Sequence, residues 1–496
     1  MEQADLKYMV KINFPGGILP AGELLDIMNI CQSAGIENVR FGNRQQLLFE
    51  VTNAELEDLK NDLLISDFNY EINADKHPNI ISSYVTEDIV YNANWLKEGV
   101  YKDILDLFDY HPELKINLAD NSQTFIPFFT GNLNFISSDV SNFWYLYVRF
   151  PKTNNLYCWP SLIYSEDIPG ISKLIEDEIL SKRKLFYDQP VIDGALLHKS
   201  VKAKSSFLIQ SYTQPLQLPD FQLPFYEGFN KYGNNKLWLG IYRRNELFPV
   251  DFLKDICTLC LETRIGQLYA TPWKSLVIKG IEQADRKAWG NILNHYRINV
   301  RHAANELNWQ TEELCEEGLD MKRELVREFE EADTRTYHLC FAVKTKPKSG
   351  LFGSVIINKQ PHKAGKDDLF EIQHTRDFNP NSKDFIIYKR NVTRQNVSAL
   401  LIELCNHFYQ QQSANRVKTI ASVPDTENNN IQTDEKIYQC KNCLTQYNET
   451  YGDVINEVSP GTKFTDIEHY HCPTCDAPKA DFELLVMPTL SDVVST

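Results

Sequence analysis

Four of the chain's eleven cysteines stand in a pattern that binds metal. Two residues separate Cys440 from Cys443, a gap of 28 residues follows, and Cys472 and Cys475 repeat the two-residue spacing. Two residues between thiols let both sulfurs of a pair enter one tetrahedral site, and a second pair completes it with four sulfurs. Iron and zinc both accept that geometry, so spacing alone leaves the metal open. Iron would carry electrons, whereas zinc would brace the fold. The other short spacing, Cys257 to Cys260, falls on the apolar stripe of Phe252-Leu-Lys-Asp-Ile-Cys-Thr-Leu-Cys-Leu and reads as core thiols.

These residues need elements to hold them, and the bulk properties say how many. A chain of 496 residues exceeds one ordinary core, and 43 % hydrophobic with 24 % charged residues is globular composition. A net charge of −16 argues against nucleic acid as a partner, because counterion release needs basic surface. No apolar run is long enough to span a bilayer, and the N-terminus lacks a basic stretch followed by an apolar one. The expectation is a cytoplasmic protein without a membrane partner, whose thiols stay reduced.

From Gln410 to Glu435 the chain turns polar and Asn-rich, without apolar period, and reads as a tether (residues 411–435). As a flexible coil it would span about 25–30 Å. Residues 1–410 contain a repeat. Tyr8-Met-Val-Lys-Ile-Asn-Phe reads as a strand, a helix opens at Pro20 with Leu24, Ile27 and Ile30 on its apolar face, and Gln46-Leu-Leu-Phe-Glu-Val reads as a second strand. A shift of 229 residues brings Lys7 onto Lys236, Pro20 onto Pro249 and Cys31 onto Cys260, and the pattern recurs. Two related halves, 1–235 and 236–410, should pack about a pseudo-twofold axis. Further strands are expected at Ile116-Asn-Leu, Phe125-Ile-Pro-Phe-Phe, Phe143-Trp-Tyr-Leu-Tyr-Val, Tyr337 to Val343, Gly353 to Ile357 and Phe385-Ile-Ile-Tyr, with helices over 169–180 and 396–409. The fold class is α+β.

Residues 436–485 closely resemble rubredoxin in Tyr438-Gln-Cys-Lys-Asn-Cys, Tyr447, Gly452-Asp453, Pro460-Gly-Thr-Lys-Phe464, Tyr470-His-Cys-Pro-Thr-Cys, Lys479 and Phe482. The resemblance implies one iron on Cys440, Cys443, Cys472 and Cys475, passing one electron at a time. Leu444 and Asp476 stand where rubredoxins usually place a left-handed Gly, and Tyr470 replaces their usual Trp.

The body resembles the ferredoxin-like half-domains of sirohaem nitrite and sulfite reductases. The residues that carry this are Gly16-Gly-Ile-Leu-Pro, Gly35 to Leu47 with Arg44-Gln45, and Tyr269-Ala-Thr-Pro-Trp-Lys274-Ser-Leu. In that family basic residues line a cleft for sirohaem and an anion, which makes Arg40, Arg44, Lys274 and Arg301 candidates for an anion cleft. The family's Cys-x5-Cys and Cys-x3-Cys motifs are absent: after residue 290 the body has only Cys315, Cys340 and Cys405. Val300 to Trp309 and Lys344 to Gly353 stand about where the pairs belong. Sirohaem and a four-iron cluster are therefore not expected. The leading expectation is an electron-transfer component with a redox protein partner, a nitrite, nitrate or sulfite reductase, and not a stand-alone reductase. An enzyme with unusually ligated sirohaem and a zinc-stabilised adaptor are the alternatives. No catalytic pair is legible.

Overall fold

A computed structural model describes residues 6–89, 95–204, 207–212, 214–233, 235–300, 305–347, 349–361, 368–421, 437–442, 445–449, 452–453, 456, 458–459 and 461–485. The chain divides into two compact units, Met1–Ser413 and Ala414–Thr496.

The repeated pattern becomes two antiparallel sheets. In the first half Lys7–Ile12 pairs with Leu47–Thr52, with Val10 opposite Phe49, and in the second Lys236–Ile241 pairs with Leu276–Glu282. Between the strands of each pair lie the helices Ala21–Ser33 and Val250–Glu262. Leu24, Ile27, Met28 and Cys31 follow a helical period, and so do Leu253, Ile256, Cys257 and Cys260. All eight are fully buried in one core shared by the halves. Burial pushes the Cys257 thiol up to about 12, as expected of a packing residue.

Each helix ends on a left-handed residue, Gly35 (φ 65°) and Arg264 (φ 61°). The following amides close the same turn, Ile36 N donating to Cys31 O at 2.9 Å and Ile265 N to Cys260 O at 2.7 Å. The tight turns before the second strands also match. Gln45 (φ 61°) and Lys274 (φ 54°) are both left-handed, their amides donating to Gly42 O at 2.9 Å and Thr271 O at 3.1 Å. The halves also trade edges. Ile18–Pro20 joins the second-half sheet beside Gln267–Ala270, and Phe248–Pro249 joins the first-half sheet beside Asn38–Phe41.

The longer segments repeat as well. In the first, Ile81–Ser82, Ile116–Ala119 and Leu133–Ser137 run parallel, and Phe143–Arg149 returns antiparallel. In the second, Trp309–Thr311, Phe341–Lys344 and Val355–Lys359 run parallel, and Leu369–Thr375 returns. Helices Ile168–Ser181 and Arg394–Ala421 accompany them.

Three expectations change. Phe125–Phe129 is not a strand; the paired strand is Leu133–Ser137. Pro127 lacks an N–H for a ladder, so the segment buries its four apolar side chains as a loop tied by side chains. Ile126 N donates to Gln123 Oε1 at 2.7 Å and Phe128 N to Asn381 Oδ1 at 3.0 Å. The strand expected from Tyr337 begins only at Phe341, because His338 is left-handed (φ 63°). The last helix of the body does not stop at 409: it reaches Ala421, so residues 411–421, read as tether, are helical. Gln, Ala, Arg and Lys favour helix without any apolar face, and an amphipathic pattern could not register that. Residues 422–436 lie outside the described ones.

The C-terminal unit holds a three-stranded sheet, Gln446–Asn448 and Phe482–Leu485 flanking Ile437–Cys440. Phe464 is the centre of its core. Tyr438 stacks on it at 4.3 Å between centroids, and Tyr447, Tyr470 and Phe482 surround it at 5.1, 5.2 and 5.3 Å.

Candidate metal centre and the cationic loop of the body

Cys440 and Cys472 are anchored by matching backbone hydrogen bonds. Cys440 N donates to Thr445 O and Cys472 N to Ala477 O, both at 2.8 Å, which brings the chain back on itself after each pair. Thr445 Oγ1 donates to Thr474 Oγ1 at 2.8 Å and ties one turn to the other. The sulfurs of Cys440, Cys472 and Cys475 lie within 4.8 Å of one another. Cys443 and Leu444 fall outside the described residues. Cys440 and Cys475 are 3.6 Å apart, too far for a disulfide. Tetrahedral thiolates about 2.3 Å from a metal would stand about 3.8 Å apart, so the donor set fits a single ion. Cys440 and Cys472 are buried and Cys475 is exposed, so one sulfur offers a path for electrons to the surface.

The surroundings exclude water and hold the turns. Tyr447 OH donates to Thr462 O and Tyr470 OH to Asp453 Oδ2, each at 2.7 Å. Lys479 Nζ donates to Thr465 O at 3.1 Å and Ile467 O at 2.7 Å, with its ammonium 5.2 Å from the Phe464 ring centroid. Asp476 takes the left-handed conformation that its position requires (φ 60°), with its amide donating to Cys472 O at 2.9 Å. That conformation costs any residue with a Cβ, so Asp476→Gly should stabilise the metal-loaded unit by about 0.5–1 kcal/mol. A rise in the thermal midpoint at which the metal is lost is the readout; an unchanged or lower midpoint would contradict it.

In the body, the cations expected to line an anion cleft are engaged by the protein itself. Arg40 Nη2 pairs with Glu316 Oε1 at 3.0 Å. Arg44 donates to Asn79 O (2.9 and 2.7 Å), Ile116 O (2.8 Å) and Asn117 Oδ1 (3.2 Å), and burial lowers its pKa to about 10. Lys274 Nζ meets both oxygens of Glu246 (2.9 and 2.8 Å), Thr311 Oγ1 (3.1 Å) and Glu312 O (3.2 Å). Arg301 is outside the described residues. Arg40 and Lys274 thus hold the segment Thr311–Glu316, aided by Glu313, which accepts from Asn43 N at 2.9 Å and Gln46 Nε2 at 2.8 Å.

A different set of cations gathers round the loop Phe128–Asn132. Lys115 and Arg149 flank Asn132 across neighbouring strands: Asn132 N donates to Lys115 O at 2.6 Å and Arg149 N to Asn132 O at 2.7 Å. Arg149 Nη2 and Nε donate to Thr130 O at 2.9 Å and Gly131 O at 3.2 Å. Lys383 Nζ stands 6.0 Å from the Phe129 ring centroid. Lys344 ends the neighbouring strand Phe341–Lys344. Burial first, then the charges of Arg149 and Lys344, lowers Lys383 to about 7. Burial also lowers Lys115 and Lys344, and it brings Arg149 to about 10. Lys115, Lys344 and Lys383 are spread over 268 residues of sequence with no shared spacing, so no motif announces them.

The chain carries a thiolate metal module and a duplicated α+β body, and comparison with known proteins agrees. The rubredoxin family model matches residues 437–482, and that of the nitrite/sulfite reductase ferredoxin-like half domain matches residues 1–64. Probable rubredoxin HupJ of Rhodobacter capsulatus is 51 % identical over 51 residues, covering 10 % of this chain and 18 % of that protein. Probable rubredoxin HupI of Bradyrhizobium diazoefficiens is 43 % identical over 51 residues, covering 10 % and 74 %, and rubredoxin 4 of Rhodococcus sp. is 44 % identical over 50 residues, covering 10 % and 83 %. The chain thus spans under a fifth of the first relative and most of the other two.

The structure of the Mycobacterium tuberculosis NirA protein superposes with a TM-score of 0.60 at 14 % identity, covering 82 % of this chain and 81 % of that one, a likeness of fold. The protein is a metal-thiolate electron-carrier domain fused to a nitrite/sulfite reductase-like body. Through that C-terminal domain the chain belongs to the rubredoxin family. No helix among the described residues is long and apolar enough to cross a membrane.

Proposed function

We propose that the protein is a one-electron carrier whose iron is held by Cys440, Cys443, Cys472 and Cys475, serving a cytoplasmic nitrite, nitrate or sulfite reductase system. The convergence of the Cys440, Cys472 and Cys475 sulfurs within 4.8 Å carries this reading. Bound there, iron supplies a ferric/ferrous couple. The chain's part is to fix four thiolates, to keep bulk water away with Tyr438, Tyr447, Phe464, Tyr470 and Phe482, and to leave Cys475 at the surface.

The body is proposed to dock the redox partner and to hold neither sirohaem nor a four-iron cluster. Supporting this, Cys315, Cys340 and Cys405 stand in separate surroundings. Cys315 Sγ accepts from Gly318 N at 3.4 Å at a helix start, Cys340 is buried beside Ser354, and Cys405 is buried in a helix. An iron–sulfur cluster needs converging thiolates.

The test is elemental analysis and a visible spectrum of the full chain made in an iron-replete, sirohaem-competent host. The expected result is one iron per chain, thiolate-to-iron colour that a chemical reductant bleaches and air restores, and no tetrapyrrole band. Zinc with no colour would refute the electron-carrier reading; a tetrapyrrole band would refute the reading of the body.

A further inference from the structure

The surface end of the Cys472–Cys475 turn needs a hold that its own backbone does not supply. The base of the turn is fixed, with Cys472 N donating to Ala477 O at 2.8 Å, Asp476 N to Cys472 O at 2.9 Å, and His471 bridged to Pro478. Those bonds close on Cys472 and its flanks. Thr474 and Cys475 stand beyond them, both exposed. A ligand at an exposed turn end is the first to leave a metal, because it can swing into water without opening the core.

The Cys440 side of the site is built into the sheet instead. Cys440 ends the central strand Ile437–Cys440, and Thr445 stands just before the edge strand Gln446–Asn448 that pairs with it. Lys441 N donates to Asp481 O at 2.9 Å and Asn442 Nδ2 to Asp481 Oδ2 at 3.1 Å, which fastens the residues after Cys440 to the fold. The Thr445 carbonyl accepts from Cys440 N at 2.8 Å, so its backbone is fixed as well. Its hydroxyl donates to Thr474 Oγ1 at 2.8 Å, across 29 residues of sequence. Thr474 directly precedes Cys475. The hydroxyl pair thus ties the exposed ligand to the sheet.

We infer that Thr445 and Thr474 are positioning residues, a clamp that keeps Cys475 on the metal and stiffens the thiolate cage. The inference rests on the four-thiolate reading of the centre and not on which ion occupies it. Two consequences follow from the clamp. Escape of the ion begins with Cys475 swinging outward, which first breaks the hydroxyl bond, so the clamp slows metal loss. An added electron lengthens iron–thiolate bonds and widens the cage, so a tie across it opposes the reduced state.

The experiment measures metal release from the full chain to an excess of a coloured chelator, and the midpoint potential of the iron-loaded protein by spectroelectrochemistry. Thr474→Val and Thr445→Val keep the branched shape and remove one hydroxyl each. Either should speed release roughly two- to tenfold, the worth of one hydrogen bond. The double variant should release no faster than the faster single one, because both changes cut the same bond. The midpoint potential should shift upward in all three. Thr474→Ser, which keeps the hydroxyl, should restore the wild-type rate and potential. Release at the wild-type rate, effects that multiply in the double variant, a serine variant that behaves as the valine one does, or an unmoved potential would overturn the inference. Zinc in place of iron would refute the electron-carrier reading, while the release rates would still decide the clamp.

Discussion

Phe464→Ala should unfold the C-terminal unit and release its metal while the body melts as before. The ring contacts four other aromatic rings, at centroid distances of 4.3 to 5.3 Å. Truncating a buried Phe costs about 3–5 kcal/mol. A unit of some fifty residues has about that much stability in total, and most of this one's core is those rings. Loss of metal at ambient temperature, followed by colour and by elemental analysis, with an unchanged midpoint for the body, is the expected outcome. Retention of metal with a shift of a few degrees would mean that the thiolate–metal bonds, and not the aromatic core, hold the unit together.

The second large effect lies at Glu246. Its carboxylate is paired with Lys274 where the two side chains are each 5 % exposed. Glu246→Ala would leave a buried ammonium with only Thr311 Oγ1 and Glu312 O, a loss of about 3–5 kcal/mol. The repeat in the sequence supplies the rescue. The shift of 229 residues places Gly17 on Glu246 and Gln45 on Lys274, and all four residues are left-handed (φ 74°, 60°, 61° and 54°). In the first half the pair is neutral, with Gln45 packed so closely on Gly17 that a Cβ there would stand 2.6 Å from its side chain. Glu246→Gly/Lys274→Gln imports that neutral pair, removes both buried charges together and relieves the left-handed Glu. The double variant should regain most of what Glu246→Ala loses, as measured by denaturant midpoints in a mutant cycle. Equal destabilisation would mean that the ion pair has no neutral substitute in the second half.

Particular residues show how much of this was legible beforehand. The repeat could be read because its signals are local: an apolar stripe at helical spacing, a Pro at each helix start and matching thiols. The convergence of Cys440, Cys472 and Cys475 was legible for the same reason, since the two-residue spacing is a local signal. Arg44 and Lys274 read from the sequence as candidates for an anion cleft; in the fold Arg44 meets carbonyls and Lys274 a carboxylate. Partners such as Asn117 for Arg44 and Glu246 for Lys274 are chosen by tertiary packing, which no spacing encodes. The cationic loop was invisible because its members come from separate strands and a distant turn. Phe125–Phe129 looked like a strand because burial alone produces the same apolar run whether or not a ladder forms.

The exchanged edges have a consequence for how such a body arises and can be cut. Cleaved at residue 235, the first piece would keep Ile18–Pro20 with no sheet to join and would miss the two residues that complete its own edge. The second piece would lack both Ile18–Pro20 and Gly228–Tyr232 from its sheet, with half of the shared core opened to solvent. Two half-length chains, each lending its arm to the other, would meet the demand for exchanged edges; the outer strand differs, following the repeat in the first half (Tyr70–Ile72) and preceding it in the second (Gly228–Tyr232). In these edges the connectivity is that of two arm-swapped subunits joined end to end, so the pieces should recover native structure only when mixed.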